Sequence, residues 1–584
     1  MGTAPSIAYK ACVWIGRRLR FASAATIATS SNHLNDEGES MTAHDPYALD
    51  ASKIKEPPTG IFPSLRYIGP GFILSASIVG SGELIATTIV GAEAGFILLW
   101  FIIFSCIVKV AVQLEFGKHA ISSGESTMKS LNSLPGPRLG LANWSIWIWL
   151  ILMLGKMMQV GGIVGGVVLA VEQFIPPSVV AFDVEKFDQT QPIVVGVNAI
   201  GDDPVSLPEN WAIGDLIDVL GPSWKQNGSI IETTERGVKK LAVVVGDTTE
   251  VSTIASELPF SRIFLSFAVA ASVSLLVFQG YYILIEKASL VMIAAFTIFT
   301  LASLLALQST EMAIKPAEIA SGMIPLIPAD RALIFVAIGA FGITGVGGDE
   351  IMAYNYWLIE KGYASYTGPK DGSPDWERRA KGWIRIMYWD ALLSMVAYTC
   401  MTVMFYLLGA AVLNRQGLVP DGGDLIDTLG MMYTQTLQQP WARSMFVVGA
   451  IVVLYSTLFA ALAAWTRLFA DAFGRVGLYR FENRTSRRLA IGILAWIIPA
   501  VRATLFLYLG KPAMMVIVGG TATVVILLIV VFAAIFFRYR RLDHRLLPTK
   551  VYDVCLWASA IAIATVAILS SRGVYEGIIE VLGK

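Results

Sequence analysis

The sequence predicts an all-α polytopic membrane protein of about eleven transmembrane helices, arranged as two inverted repeats of five helices with one helix appended. Three observations carry this expectation: a composition outside the soluble range, eleven apolar runs of membrane-crossing length, and a motif that recurs five spans after it first appears. Of the 584 residues, 55% are hydrophobic and 15% charged, against about 25% charged in soluble domains. Mean hydropathy is +0.63. The runs reach about 20 residues, enough to cross a hydrocarbon core of roughly 30 Å, and they are too many to be a signal peptide.

The runs fall at about 65–90, 94–118, 142–173, 261–286, 288–308, 331–360, 386–413, 443–470, 489–509, 512–537 and 552–570, so the two termini are expected on opposite sides. Lys and Arg set the orientation. Lys361, Lys370, Arg378, Arg379, Lys381 and Arg385 follow the sixth run, Arg475, Arg480, Arg484, Arg487 and Arg488 the eighth, and Arg538, Arg540, Arg541, Arg545 and Lys550 the tenth. The positive-inside rule then places the N-terminus in the cytoplasm and the C-terminus outside, in the plasma (inner) membrane.

Outside the spans, residues 1–57 are polar and poor in aromatics, a composition expected to stay disordered. Helices one to three occupy 58–174 and helices four to eleven 261–575. Between them lies a polar insert, 175–260, placed outside by parity. Its runs Ile193-Val194-Val195-Gly196-Val197 and Leu241-Ala242-Val243-Val244-Val245 favour strands. Thirteen acids against five bases suit either a solvated cap or an entrance that gathers cations.

Several function classes are disfavoured. The formal net charge is zero, so no global field points to nucleic acid. The four cysteines form no paired framework of the secreted kind. His33, His44, His119 and His544 fall in tails, loops or helix ends, which leaves no histidine site for zinc, haem or nucleophilic catalysis inside the membrane, and no enzyme is expected. Trp144, Trp147 and Trp149 are expected to form an interfacial belt, and Arg502 beside Pro499 receives no role.

The repeat carries the functional expectation. Val79-Gly80-Ser81-Gly82-Glu83-Leu84-Ile85-Ala86 aligns with Val346-Gly347-Gly348-Asp349-Glu350-Ile351-Met352-Ala353. An odd number of crossings separates the copies, so they enter the membrane from opposite sides, as in the inverted repeats of secondary transporters. Each glycine lowers helix propensity by about 1 kcal/mol, and their clustering predicts a break in mid-membrane, tolerated only where it is buried in protein or lines a cavity. Close helix packing would account for the glycines but not for the adjacent carboxylates. An intramembrane charge costs at least about 2.5–3.5 kcal/mol, so Glu83, Asp349 and Glu350 call for a partner or a task. With freed carbonyls they compose a hard-oxygen cation site; Gly80, Ser81, Glu83, Gly347, Asp349 and Glu350 are the candidate substrate-binding residues, and Glu83, Asp349 and Glu350 the candidate metal ligands. Lys156, in the third span, either neutralises Glu83 or Glu350 permanently or serves as a tethered counter-ion that substrate displaces.

These residues resemble the Nramp family of divalent-metal transporters, whose first helix runs Gly-Pro, an apolar stretch, an Asp-Pro-Gly-Asn break and a Gly-x-x-x-Gly-Tyr-x-Leu-Leu-Trp segment. Here stand Gly69-Pro70-Gly71-Phe72, Gly80-Ser81-Gly82-Glu83 and Gly91-Ala92-Glu93-Ala94-Gly95-Phe96-Ile97-Leu98-Leu99-Trp100. The span pattern is similar over about residues 60–570. The resemblance implies a LeuT-like inverted repeat. It also marks departures: the family's binding Asp and Asn correspond to Gly80 and Glu83, its Met-Pro-His-Asn to Gly347-Gly348-Asp349-Glu350, and two acids tied to proton coupling to Lys156 and Gln159.

Together these readings predict a secondary transporter that moves a divalent cation by alternating access, without conventional proton coupling. Loss of the thioether favours Mg or Mn over softer ions. The alternatives are a LeuT-like carrier of a small organic cation or amine, and a non-transporting homologue silenced by Lys156. The expected partners are the metal ion as substrate and the lipid bilayer, with no nucleic acid and no cofactor, and the protein is expected to act as a monomer.

Overall fold

Backbone groups in hydrocarbon are satisfied only within the segment that carries them, so apolar runs of this length become helices. The computed structural model describes residues 45–49, 51–174, 260–279, 282–420, 422 and 425–582, with five short strands between 193 and 253. The helices that build the bundle are α1 (Pro70–Ile78), α2 (Thr88–Ala94), α3 (Leu99–Val108), α4 (Val110–Ser123), α5 (Trp144–Glu172), α6 (Phe260–Gln279), α7 (Tyr282–Leu307), α8 (Arg331–Ile343), α9 (Gly348–Lys361), α10 (Pro374–Leu408), α11 (Leu425–Leu437), α12 (Pro440–Val476), α13 (Arg484–Leu509), α14 (Pro512–Phe536) and α15 (Lys550–Leu582). Among the described residues eight spans are long and apolar enough to cross a membrane, and the bent pair α1/α2 makes a ninth. Two shorter apolar stretches, Arg262–Phe278 and Ala294–Leu307, lie in α6 and α7. All eleven expected runs are therefore helical, and the chain is an integral membrane protein. Within the expected fourth run, 261–286, the described residues end with α6 at Gln279 and resume with α7 at Tyr282.

Both expected interruptions are present, and they differ. The first is a widened π-helical turn, Val79–Thr87, across which the axis bends by 44°. The second is open: α8 ends at Ile343, Gly345 turns through φ +66°, and α9 restarts at Gly348.

Small residues let the helices approach backbone to backbone. A Cβ at Gly342 would come within 2.0 Å of the Gly520 carbonyl oxygen, and one at Gly162 within 2.5 Å of that of Pro512, so α14 is clasped between α8 and α5. Asp390 of α10 accepts the Gly69 and Gly71 amides at 2.8 and 2.6 Å and the Tyr354 hydroxyl at 2.9 Å, fixing the start of α1 to α9 and α10. A carboxylate at a helix N-terminus meets the positive end of the dipole.

The insert contains both expected β runs. Ile193–Val195 pairs antiparallel with Val205–Leu207 and Val238–Val245, and the latter also pairs with Glu232–Glu235 and Val251–Thr253. The expectation of disorder over 1–57 falls mainly outside the described residues. Among the described residues of this segment, the Tyr47 hydroxyl donates to Glu360 at 2.6 Å and the Trp383 indole to the Lys55 carbonyl at 3.0 Å, so these parts pack on the bundle. The tryptophan belt is corrected at one position. Trp149 is fully buried and lies 5.1 Å from the Phe469 ring, because five residues on from Trp144 a helix has turned to a different face.

Gly80→Ala would place its Cβ 2.2 Å from Thr457 Oγ1 and 2.8 Å from the Val453 carbonyl oxygen, whereas Gly155→Ala meets only Ala522 Cβ at 3.5 Å. We expect the first substitution to destabilise by about 1–3 kcal/mol and the second to be neutral or slightly stabilising. Thermal melting of the purified protein reads the contrast, and equal melting temperatures would show that α12 is not packed on the first break.

Candidate functional site

A helix that stops inside a membrane leaves amides and carbonyls to be satisfied, and here the two breaks answer each other. The π turn exists because Gly80 and Gly82 carry no side chain at the two closest approaches. Gly80 donates its amide to Thr457 Oγ1 at 3.1 Å, and a Cβ at Gly82 would lie 2.5 Å from the Ile343 carbonyl oxygen. The Thr87 hydroxyl closes the turn against the Gly82 and Glu83 carbonyls, both at 2.8 Å. Glu83 is fully buried; Oε1 accepts the Gly345 amide at 3.1 Å and Oε2 lies 3.1 Å from Thr87 Oγ1. At the negative end of α8, Lys109 donates to the Thr344 carbonyl at 2.6 Å and to that of Phe341, and Ser105 adds hydrogen bonds of 3.2 Å to the same two oxygens. An ammonium is the natural cap for a helix C-terminus.

Asp349 and Glu350 occupy the first turn of α9, again at a favourable dipole end. Lys156 of α5 pairs with Asp349 and stands 3.5 Å from Glu350 Oε2. Trp465 of α12 donates its indole to Asp349 Oδ2 at 2.8 Å. Behind that ring, 4.2 Å from its centroid, lies the guanidinium of Arg502, which is 1% exposed and whose Nε and Nη2 have no hydrogen-bond partner among the described residues. A cavity of about 10 Å³, room for about one water, opens beside the two acids, with Trp357, Trp465, Ile73 and Ser77 in its wall. Two buried acids, Glu83 and Asp349, and the partly buried Glu350 thus lie among three buried cations, Lys109, Lys156 and Arg502.

The expected site residues divide. Asp349, Glu350 and Lys156 come together. Glu83 is engaged by Gly345 and Thr87 in place of the other acids, and among the described residues no three His, Cys, Asp or Glu side chains are grouped to hold a metal. The expected ligand set of Glu83, Asp349 and Glu350 is therefore not gathered in this conformation: Glu83 meets Gly345 and Thr87, and Asp349 and Glu350 meet Lys156. Gly80 serves packing on Thr457, and Gly347 leaves room for Glu350, whose Oε2 lies 2.3 Å from where a Cβ would be. Gln159 is buried with its backbone against Gly519. The side chain of Ser81 lies outside the described residues.

Four further residues belong to this core. Lys109 and Asp390 were each detectable as a lone charge in an apolar run. Arg502 carries the same signal in run 489–509, whereas Trp465 carries none, since only the fold brings its indole to Asp349 and its ring to Arg502. On one side the site wall continues through Trp357 to Arg467, 4.8 Å from its ring centroid, then to Glu360 at 2.6 Å and the Tyr47 hydroxyl beyond it.

The sequence matches no protein-family profile and no curated protein. In structure, the chain is similar to a substituted form of the Eremococcus coleocola manganese transporter, at 14% identity over 92% of this chain and 93% of that one, with a TM-score of 0.54. It is also similar to MhsT in complex with L-phenylalanine, at 12% identity over 89% and 99%, with a TM-score of 0.51. At these identities the likeness establishes the fold: an all-α membrane bundle of the LeuT type.

Removing one member of a buried ion pair strands the other charge. Lys156→Met is expected to cost about 3–5 kcal/mol of stability, and Asp349→Asn in the same chain to recover a substantial part. A thermal-melting double-mutant cycle measures the coupling, and additive losses would show that the pair does not interact energetically.

Proposed function

We propose that this protein is a secondary carrier whose substrate is a cation that exchanges with the Lys156 ammonium at Asp349 and Glu350. One observation carries the reading: two carboxylates converge at the broken end of α9, beside a cavity, and the cation between them is the chain's own. Interrupted helices with substrate at the break are the working element of inverted-repeat carriers. Lys156 takes the tethered counter-ion role. While substrate is absent it keeps the acids compensated; when substrate binds, its ammonium withdraws, because a second cation beside it in low dielectric is costly.

The substrate class we favour is a hard divalent cation such as Mg or Mn. The donors at the break are oxygens, with no thioether or imidazole among the candidate residues, and such a set suits Mg, Ca or Mn. The similarity to the manganese transporter and the resemblance of Gly69–Pro70 through Trp100 to the Nramp pattern lend support. A second reading, a small organic ammonium, is favoured by the ammonium already seated there and by the apolar wall of Ile73, Leu74, Trp357 and Trp465, which suits a compact organic cation better than an ion requiring six oxygens. Glu83, occupied by Gly345 and Thr87 near Lys109, acts as a strut between the breaks.

Calorimetric titration of the purified protein with Mg, Mn and Ca, and separately with small amines, distinguishes the two substrate classes. Asp349→Asn and Glu350→Gln are each expected to weaken cation binding at least about tenfold, whereas Glu83→Gln leaves affinity within about threefold and lowers the melting temperature. Wild-type binding in both Asp349→Asn and Glu350→Gln would overturn the assignment.

A further inference from the structure

Along α10 the sequence changes character at Arg385. Residues 374–385 carry Asp375, Glu377, Arg378, Arg379, Lys381 and Arg385, and residues 386–408 hold a single formal charge, Asp390. Arg385 therefore stands where the helix enters hydrocarbon, at headgroup level.

Beside it lies a cavity of about 670 Å³, within the range of about 300–1,000 Å³ typical of ligand sites. Arg378, Lys381 and Arg385 line it from successive turns of α10, and Pro57, Pro58 and Gly60 of the N-terminal segment form the opposite wall. That wall is fixed: Pro57 packs on Gly382, where a Cβ would come within 2.2 Å of its Cγ, and Trp383 holds the Lys55 carbonyl. Two of the cations are occupied. Arg378 pairs with Glu56 at 2.9 Å and Asp375 at 2.7 Å, and Lys381 pairs with Glu377 at 2.5 Å. Arg385 is exposed and has no acid paired to it among the described residues.

The same face of α10 continues downward as an exposed apolar stripe. Trp389, also in the cavity wall, is 49% exposed, followed by Leu392 at 40% and Val396 at 54%. Positions 385, 389, 392 and 396 share one face at helical spacing. At 1.5 Å per residue, the stripe descends about 16 Å below Arg385, which is half of a hydrocarbon core of roughly 30 Å. A free guanidinium, an aromatic ring at the interface and one leaflet's depth of aliphatic surface succeed one another in the order of a phospholipid's phosphate, glycerol region and acyl chain.

We propose that this cavity is a binding site for an anionic phospholipid, with the phosphate on Arg385, the headgroup against Lys381 and the 57–60 wall, and an acyl chain along Trp389, Leu392 and Val396. Charge complementarity selects the anionic class: of the charged residues in the wall three are basic and only Glu56 is acidic, and a guanidinium offers a phosphate paired donors. A bound lipid braces residues 56–60 against α10, five residues before Asp390, which holds the start of α1.

The test uses the full chain, purified and stripped of lipid in detergent, with dioleoyl-phosphatidylglycerol, dioleoyl-phosphatidylcholine and glycerol phosphate as probes. Native mass spectrometry counts adducts and thermal melting reads protection. Phosphatidylglycerol is expected to be retained and to raise the melting temperature, with at least about tenfold weaker binding in Arg385→Ala, intermediate binding in Trp389→Ala and near-normal binding in Arg385→Lys. Arg385 is exposed and has no paired acid among the described residues, so Arg385→Ala is expected to fold as the parent does. Equal retention of the two lipids, or phosphatidylglycerol binding unchanged in Arg385→Ala, would overturn the proposal. Protection by glycerol phosphate equal to that by the lipid would do the same, showing a site for soluble anions.

Discussion

Lipid offers no hydrogen bonds, so a helix interrupted in mid-membrane must find partners for its freed groups within the protein. Much of the core answers this obligation. The π turn of Val79–Thr87 is closed by Thr87 and Thr457. The end of α8 is capped by Lys109 and Ser105, and the start of α9 carries its own acids. Every charge recruited for this purpose creates a second obligation, because an unpaired ion in low dielectric is costly. Glu83 brings Lys109 near, Asp349 brings Lys156, and Arg502 lies behind Trp465 within reach of the same carboxylate's field. A chain that breaks two helices in the membrane thus acquires a balanced set of buried charges.

This pairing bears on the proposed function. A cation that reaches Asp349 and Glu350 meets the Lys156 ammonium already there and must exchange with it. Selectivity then depends on how well the newcomer replaces the hydrogen bonds of an ammonium, and affinity on the difference between two similar energies. Tight binding is not what such a site favours. An alternating-access carrier must release its cargo, and a tethered competitor keeps the acids compensated after release.

The sequence disclosed the architecture more fully than the chemistry. Apolar length located every span, and the glycine–carboxylate repeat located both interruptions, because hydrophobic transfer and helix propensity are local properties. Pairing is not local: Lys156 lies 193 residues from Asp349, and the Gly345 amide 262 from Glu83. Spacing therefore could not decide whether Lys156 met Glu83 or the second pair of acids. Lys109 escaped notice although it lies in an apolar run, since its partners are mainly backbone carbonyls exposed only by the break. The tryptophans failed for a different reason. Trp144 and Trp147 reach loop carbonyls at the start of α5, while Trp149 points into the bundle, a difference that helical angle would have revealed.

The two interruptions are not equivalent, and the difference bears on which of them moves. Around the first, the chain remains hydrogen-bonded through the π turn, α12 grips it at Thr457, and Asp390 pins the start of α1 to α10. Around the second, Thr344 to Gly347 form no helix, and at the start of α9 Asp349 is bonded to Lys156 of α5 and Trp465 of α12. On the proposed function, the cation that displaces Lys156 acts on the tie that fixes α9. Open backbone at Gly345, where a glycine adopts a positive φ without strain, supplies the hinge. Farther along the same helix, Glu360 bonds both Arg467 and Tyr47. On the proposed function, a shift of α9 that begins at Asp349 would be felt at Glu360 and so at its bonds to Arg467 and Tyr47.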